Sequence, residues 1–208
     1  MKNIIIVGPS RSGKSTLAKR IHDELNYYVI SIDKLVGIFQ SAYPQLDIRL
    51  NWDREKTTEN IAPFLGHYLG MFSSSDGKGL MGYSHGAVEN NRFVLEGAYY
   101  DFGTIESVLQ KYGVNDMKES FHLIGLVQRK KTAVDFFRDF RKFDTENDWT
   151  FSLSDDELKS VAEEAVSYNE EMYTLLKKHG FDIYDTSENR DAVLSEIIER
   201  IASDCGKE

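Results

Sequence analysis

Short apolar runs recur along the chain, and each ends in a polar or glycine-containing tip. Ile4–Val7 is uninterrupted apolar sequence, which predicts a strand buried on both faces rather than one with a solvated side. Lys14–Leu25 then places Leu17, Ala18, Ile21 and Leu25 at helical spacing. Further strands are expected at Tyr27–Ile32, ending at Asp33, and at Arg92–Leu95, ending at Glu96-Gly97. Two more are expected at Phe121–Val127, before Gln128-Arg129, and at Phe181–Tyr184, before Asp185-Thr186-Ser187. Apolar strands alternating with helical patterns describe βα units and a parallel sheet.

The strongest helix signal precedes the last strand. Ser154-Asp-Asp-Glu157 is a capping box, in which Ser154 and Glu157 satisfy orphan backbone donors reciprocally. Leu158, Val161, Ala162, Ala165, Val166, Met172, Leu175 and Leu176 continue as one apolar stripe. Lys177, Lys178 and His179 suit the negative end of a helix dipole, and Gly180 supplies a left-handed stop. Val193, Leu194, Ile197, Ile198 and Ile201 mark an amphipathic final helix. The second and third strands are separated by far more than the roughly 10–12 residues of a minimal crossover. Within that stretch Thr57–Phe72 reads as a helix and Ser73–Gly79 as a flexible Gly/Ser loop.

Composition narrows the classes. A chain of 208 residues, 41% hydrophobic, can bury one substantial core with a smaller appended lobe. Net charge is −9, so no basic face for a nucleic-acid partner is expected. The lone cysteine, Cys205, can form no internal disulfide, in keeping with a reducing compartment. No stretch approaches the about 18 continuous apolar residues of a membrane span. The apolar start is too short for a signal-peptide core, so a soluble, cytoplasmic protein is expected.

The chemistry starts at the tip of the first strand. Gly8-Pro-Ser-Arg-Ser-Gly13-Lys14-Ser15 matches G-x-x-x-x-G-K-[ST] in full, with a strand before it and a helix after it. Gly8 and Gly13 permit close backbone approach. Backbone N–H groups of Ser10, Arg11, Ser12, Gly13, Lys14, Ser15 and Thr16 then form an anion nest at a helix N-terminus. Lys14 supplies a mobile charge to the β- and γ-phosphates, and the Ser15 hydroxyl is a ligand for Mg²⁺.

Taken with Asp33 after the second strand, Phe93-Val-Leu-Glu-Gly97, the Arg-bearing stretch after the fourth strand and Tyr184-Asp-Thr-Ser187, the sequence resembles the P-loop kinases. That group includes nucleoside-monophosphate, shikimate and gluconate kinases. The resemblance implies an α/β P-loop NTPase fold of three layers, with a central five-stranded parallel sheet. It implies a single domain over residues 1–208, with a helical acceptor-binding insertion at 34–90 and a lid at 128–153. It also implies ATP and Mg²⁺ as cofactors and a small-molecule acceptor as partner. The third strand ends Glu96-Gly-Ala-Tyr-Tyr, not in the Asp-Gly-Phe-Pro-Arg run typical of adenylate kinases, which argues against a nucleoside-monophosphate acceptor.

Phosphoryl transfer needs cations on the spreading charge, an aligned acceptor and excluded water, and the remaining polar residues sort by those demands. Asp33, at the carboxyl edge of the sheet where ligands bind, is a candidate to orient or deprotonate an acceptor hydroxyl; a helix N-cap is its structural alternative. Glu96 occupies the matching edge of the third strand, as an acceptor or Mg²⁺-water contact or as a partner of the loop backbone. Arg138 and Arg141 are three apart and share a helix face, opposite a stripe of Phe136, Phe137, Phe140 and Phe143. They are candidate lid cations for phosphate oxygens, with pairing to Asp135 and Asp139 as the alternative; Arg129 is weaker still. In the insertion, Arg49 and Arg54 are candidate acceptor-site cations with Trp52 between them as a stacking surface. His67 and His85 are isolated and read as ordinary polar residues. Thr186 and Ser187 line an adenine pocket by resemblance, or cap a turn.

The leading expectation is an ATP- and Mg²⁺-dependent small-molecule kinase, and the rival is a nucleotide-binding regulatory or switch protein. A GTPase switch is disfavoured, because the sequence has no Asn-Lys-x-Asp motif.

Overall fold

Central β1 (Asn3–Val7) pairs in parallel with β3 (Phe93–Gly97) on one side and β4 (Phe121–Val127) on the other. Outer strands β2 (Tyr28–Ser31) and β5 (Asp182–Asp185) complete a five-stranded, all-parallel sheet in the order β2-β3-β1-β4-β5. The computed structural model describes residues 2–50, 53–73, 92–146 and 148–205. Trp52, His85 and most of the 73–79 tract lie outside the described residues. The strand order reverses at β1, so a crevice opens beyond its carboxyl end, the position where open α/β sheets take ligands. Ile4, Ile5, Ile6 and Val7 are fully buried, as an uninterrupted apolar run in a central parallel strand requires.

The sheet is covered on both faces. On one, α1 (Lys14–Leu25) and α8 (Arg190–Cys205) bring Leu17, Ile21, Leu194 and Ile197 against Ile4 and Ile6. On the other, α2 (Ile32–Ala42), α3 (Arg54–Ser73), α4 (Phe102–Gln110) and α7 (Asp155–Lys178) bring Val36, Leu65, Ile105, Met172 and Leu176 against Ile5 and Leu95. A short helix, α5 (Met117–Ser120), leads into β4. A separate cluster joins α6 (Ala133–Phe143) to the first turns of α7 through Phe136, Phe140, Leu158 and Ala162.

Several expectations shift by local physics. The second helix starts at Ile32, earlier than expected, so Asp33 lies within its first turn and Ser31 takes the N-cap position. Asp33 is therefore not the cap. The Arg92–Leu95 strand runs instead from Phe93 to Gly97 and is buried throughout, which draws Glu96 inside the sheet edge. The insertion helix starts at Arg54 rather than Thr57. Helix α4 carries no strong signal in its sequence pattern; Asp101 caps it by accepting from the Thr104 N–H. The α7 capping box is present as expected, and Gly180 after its end has φ +72°. In the aromatic stripe of α6, Phe136 and Phe140 are buried and Phe137 packs partly against them, whereas Phe143 is more than half exposed.

Candidate functional site

The loop after β1 is shaped by contacts that leave no room for side-chain carbon at its first glycine. A Cβ on Gly8 would lie 2.3 Å from the Leu126 carbonyl oxygen and 2.8 Å from Ser12 Oγ. Gly13 has φ +101°, a conformation that only glycine adopts without strain. Thr186, buried at the end of β5, donates its hydroxyl to the Ser12 carbonyl oxygen at 2.8 Å. This bond ties the loop to the far side of the sheet.

Lys14 is the first residue of α1 and folds back under the loop, donating to the Pro9 carbonyl oxygen at 2.7 Å. Its ammonium group is pushed down to about 8, chiefly by burial, with the carboxylates of Glu96 and Asp33 acting in the opposite direction. The Ser15 hydroxyl donates to Glu96 Oε2 at 3.2 Å, so the α1 and β3 contributions meet above β1. Tyr100 is buried beside them with its hydroxyl donating to the Leu95 carbonyl oxygen at 3.3 Å. Burial, and after it Glu96 and Asp33, hold that phenol well above its usual range.

Lys14, Ser15, Asp33, Arg54 and Glu96 line one cavity of about 880 Å³, roofed by Phe136, Phe140, Trp149 and Tyr168. Arg54, at the start of α3, donates to the Ala98 carbonyl oxygen at 3.1 Å and to the Tyr168 hydroxyl. Its guanidinium lies 4.1 Å from the centre of the Tyr168 ring. Tyr168 itself is pushed up to about 12, mainly by burial.

The other candidates fall elsewhere. Arg49 pairs with Asp47 at 2.7 Å, and its backbone exchanges hydrogen bonds with the Thr57 hydroxyl, outside the cavity lining. Arg138 pairs with Asp135 at 2.6 Å, and Arg141 with Asp155 and the Leu153 carbonyl oxygen. Neither lines the cavity of Lys14. Arg138 instead lines a second cavity of about 600 Å³ with Gln128, Lys130, Thr186, Ser187 and Arg190. Arg129 pairs with Glu170 at 2.7 Å and stacks over Tyr173. His67 exchanges a hydrogen bond with the Tyr112 hydroxyl.

Among the cavity residues that escaped the sequence reading are Trp149, Tyr168 and Asn169. A signal existed for two of them, since the apolar stripe of α7 lapses between Val166 and Met172. Tyr168 and Asn169 occupy that gap. Asn169 is buried, accepts from the Gln128 N–H at 2.7 Å and donates to the Ala165 carbonyl oxygen at 2.8 Å. Among the described residues no group of three His, Cys, Asp or Glu side chains is placed to hold a metal ion. Among them, too, no helix is long and apolar enough to cross a membrane.

Solved structures share this architecture. Shikimate kinase from Bacteroides thetaiotaomicron is similar over 97% of both chains, with a TM-score of 0.53 and 17% identity. Shikimate kinase from Acinetobacter baumannii, solved with shikimate, is similar over 98% of this chain and 94% of its own, with a TM-score of 0.52 and 13% identity. The YorR protein of Bacillus subtilis, solved with phosphorylated GDP, is similar over 99% of this chain and 98% of its own, with a TM-score of 0.50 and 16% identity. The fold is thus the α/β fold of P-loop kinases such as shikimate kinase. No family model and no curated protein sequence matches this chain.

Proposed function

We propose that this protein is a kinase that transfers the γ-phosphoryl group of ATP, with Mg²⁺, to a hydroxyl group of a small-molecule acceptor. The observation that carries the reading is convergence: Lys14, Ser15, Asp33, Arg54 and Glu96, drawn from four separate elements, line one cavity above the phosphate loop. A loop alone holds polyphosphate. A carboxylate and an arginine facing it across a roofed cavity provide a second, acceptor half.

The residues fit the nucleotide and its metal ion. The cradle at Gly8 admits no Cβ, and the Ser15–Glu96 pair is a hydroxyl and a carboxylate of the hard oxygen type that Mg²⁺ takes. When bound, Mg²⁺ neutralises charge building on the phosphate oxygens. The loop N–H groups hold the phosphates, and Lys14 exchanges its bond to the Pro9 carbonyl oxygen for one to them. Asp33 orients the acceptor hydroxyl and takes its proton. Arg54 and Tyr168 form the acceptor wall, while Phe136, Phe140 and Trp149 exclude water.

The wall chemistry also speaks to the acceptor. Among the described residues, Asp33, Glu96, Asp148, Glu163, Glu164 and Glu171 face the cavity against three cations, Arg11, Lys14 and Arg54. With Lys14 committed to phosphate, that field disfavours a strongly anionic acceptor. We therefore propose a neutral or amine-bearing hydroxyl compound.

The test is ATP consumption against panels of acidic, neutral and amine-bearing hydroxyl compounds, with Lys14→Ala as control. Lys14-dependent transfer to one class is expected. Slow hydrolysis with every compound would overturn the kinase reading, and transfer confined to acids would overturn the acceptor class alone.

A further inference from the structure

Arg11, in the phosphate loop, reaches the segment between α6 and α7 with its side chain. Its backbone has φ +62°, a left-handed conformation that a non-glycine residue rarely adopts. From there its guanidinium meets the carboxylates of Asp144 and Asp148, the second at 3.2 Å, in the segment between α6 and α7. It also lies 5.6 Å from the centre of the Phe140 ring.

Both acids are built into place. Asp148 accepts from the Thr145 N–H at 2.8 Å and from the Thr145 hydroxyl at 2.9 Å. Asp144 accepts from the buried Thr150 hydroxyl, and its own side chain is only 4% exposed. A carboxylate so removed from water is costly without its counter-charge. The same segment carries Trp149 over the cavity that holds Lys14 and Asp33. One guanidinium thus joins the anion nest to the segment that roofs the cavity.

We propose that Arg11 is a positioning residue that couples polyphosphate on the loop to the positions of Asp144, Asp148 and Trp149. Phosphate oxygens and the two carboxylates compete for the same planar fork of donors. Occupancy of the loop therefore loosens the hold on Asp144 and Asp148 and moves Trp149. By linkage, weakening that hold strengthens polyphosphate binding by the same factor. The inference rests on the loop holding polyphosphate, and it is independent of whether any acceptor is phosphorylated.

Trp149 is the reporter, read in a Trp52→Phe background that silences the other tryptophan. Tripolyphosphate and a non-hydrolysable ATP analogue are titrated, with affinity measured separately by calorimetry. Both ligands should change Trp149 emission, and Arg11→Ala should abolish that change while calorimetry still detects binding. Asp148→Asn should tighten binding by a factor within the usual allosteric range of about 5–150. The gain should vanish when Asp148→Asn is combined with Arg11→Ala, a non-additivity that simple removal of negative charge would not produce. A full Trp149 response in Arg11→Ala overturns the proposal, as does an additive double mutant. Complete loss of binding in a folded Arg11→Ala protein also overturns it, by placing Arg11 in the cradle itself. Should Arg11→Ala fail to fold, Asp148→Asn decides alone, and unchanged affinity there overturns the coupling. Absence of polyphosphate binding in the parent protein would instead remove the proposed donor site.

Discussion

The hydroxyl of Ser15 and the carboxylate of Glu96 meet at 3.2 Å, although 81 residues separate them in the chain. Parallel pairing of β1 with β3 in the register Val7↔Gly97 brings the loop and the strand end to the same edge. If this pair holds Mg²⁺, Ser15→Ala and Glu96→Gln should each weaken nucleotide binding more with Mg²⁺ than with EDTA. Calorimetry in both conditions checks it. Equal losses in the two would assign the pair a structural role only.

Lys14 makes binding depend on pH. Its ammonium is lowered to about 8 mainly by burial, whereas an unfolded lysine titrates near its ordinary value of 10.5. Between those values the unfolded chain binds more protons, so this group's contribution to stability rises with pH. That contribution is complete above the unfolded value and is lost as pH falls through about 8. Phosphate oxygens favour the charged form, so ATP binding should take up protons near pH 8 and weaken above it. Calorimetry in buffers of different ionisation enthalpy measures the uptake, which Lys14→Ala should eliminate.

Asp33 lies in the first turn of α2 and lines the cavity with Lys14. Asp33→Asn should lower the rate of transfer by about 10²–10⁴-fold, the usual worth of a general base, with ATP affinity nearly intact. Parallel loss of both in steady-state kinetics and calorimetry would remove its acceptor-side role.

Thr186 supports the loop from below. Thr186→Val keeps the shape but removes the donor to the Ser12 carbonyl oxygen, leaving a buried acceptor unpaired at a cost of about 1–3 kcal/mol. Chemical denaturation should show that loss, and ATP affinity should fall with it. An unchanged midpoint would mean that the Ser12 carbonyl finds another partner.

Much of the fold could be read from residues that answer to local physics. The phosphate loop declared itself through Gly8, Gly13, Lys14 and Ser15, and the four apolar residues ahead of it required a strand buried on both faces. The α7 capping box was legible because Ser154 and Glu157 satisfy each other within a single turn. Boundaries governed by packing were not. Phe93–Gly97 became a fully buried strand because β1 and β2 flank it, and nothing local to Glu96 announces that.

The same division separates the candidate site residues. Sequence alone determined that a G-x-x-x-x-G-K-S loop sits at the end of the first strand, since its residues are contiguous. Tertiary structure alone decided that Arg54 turns into the cavity while Arg49 pairs with Asp47 outside it. It also decided that Arg11 reaches from the loop to Asp144 and Asp148. The reason is physical: a guanidinium goes to whichever carboxylate, carbonyl or ring lies within reach, and for Arg54 and Arg11 the packed elements bring that partner from distant sequence.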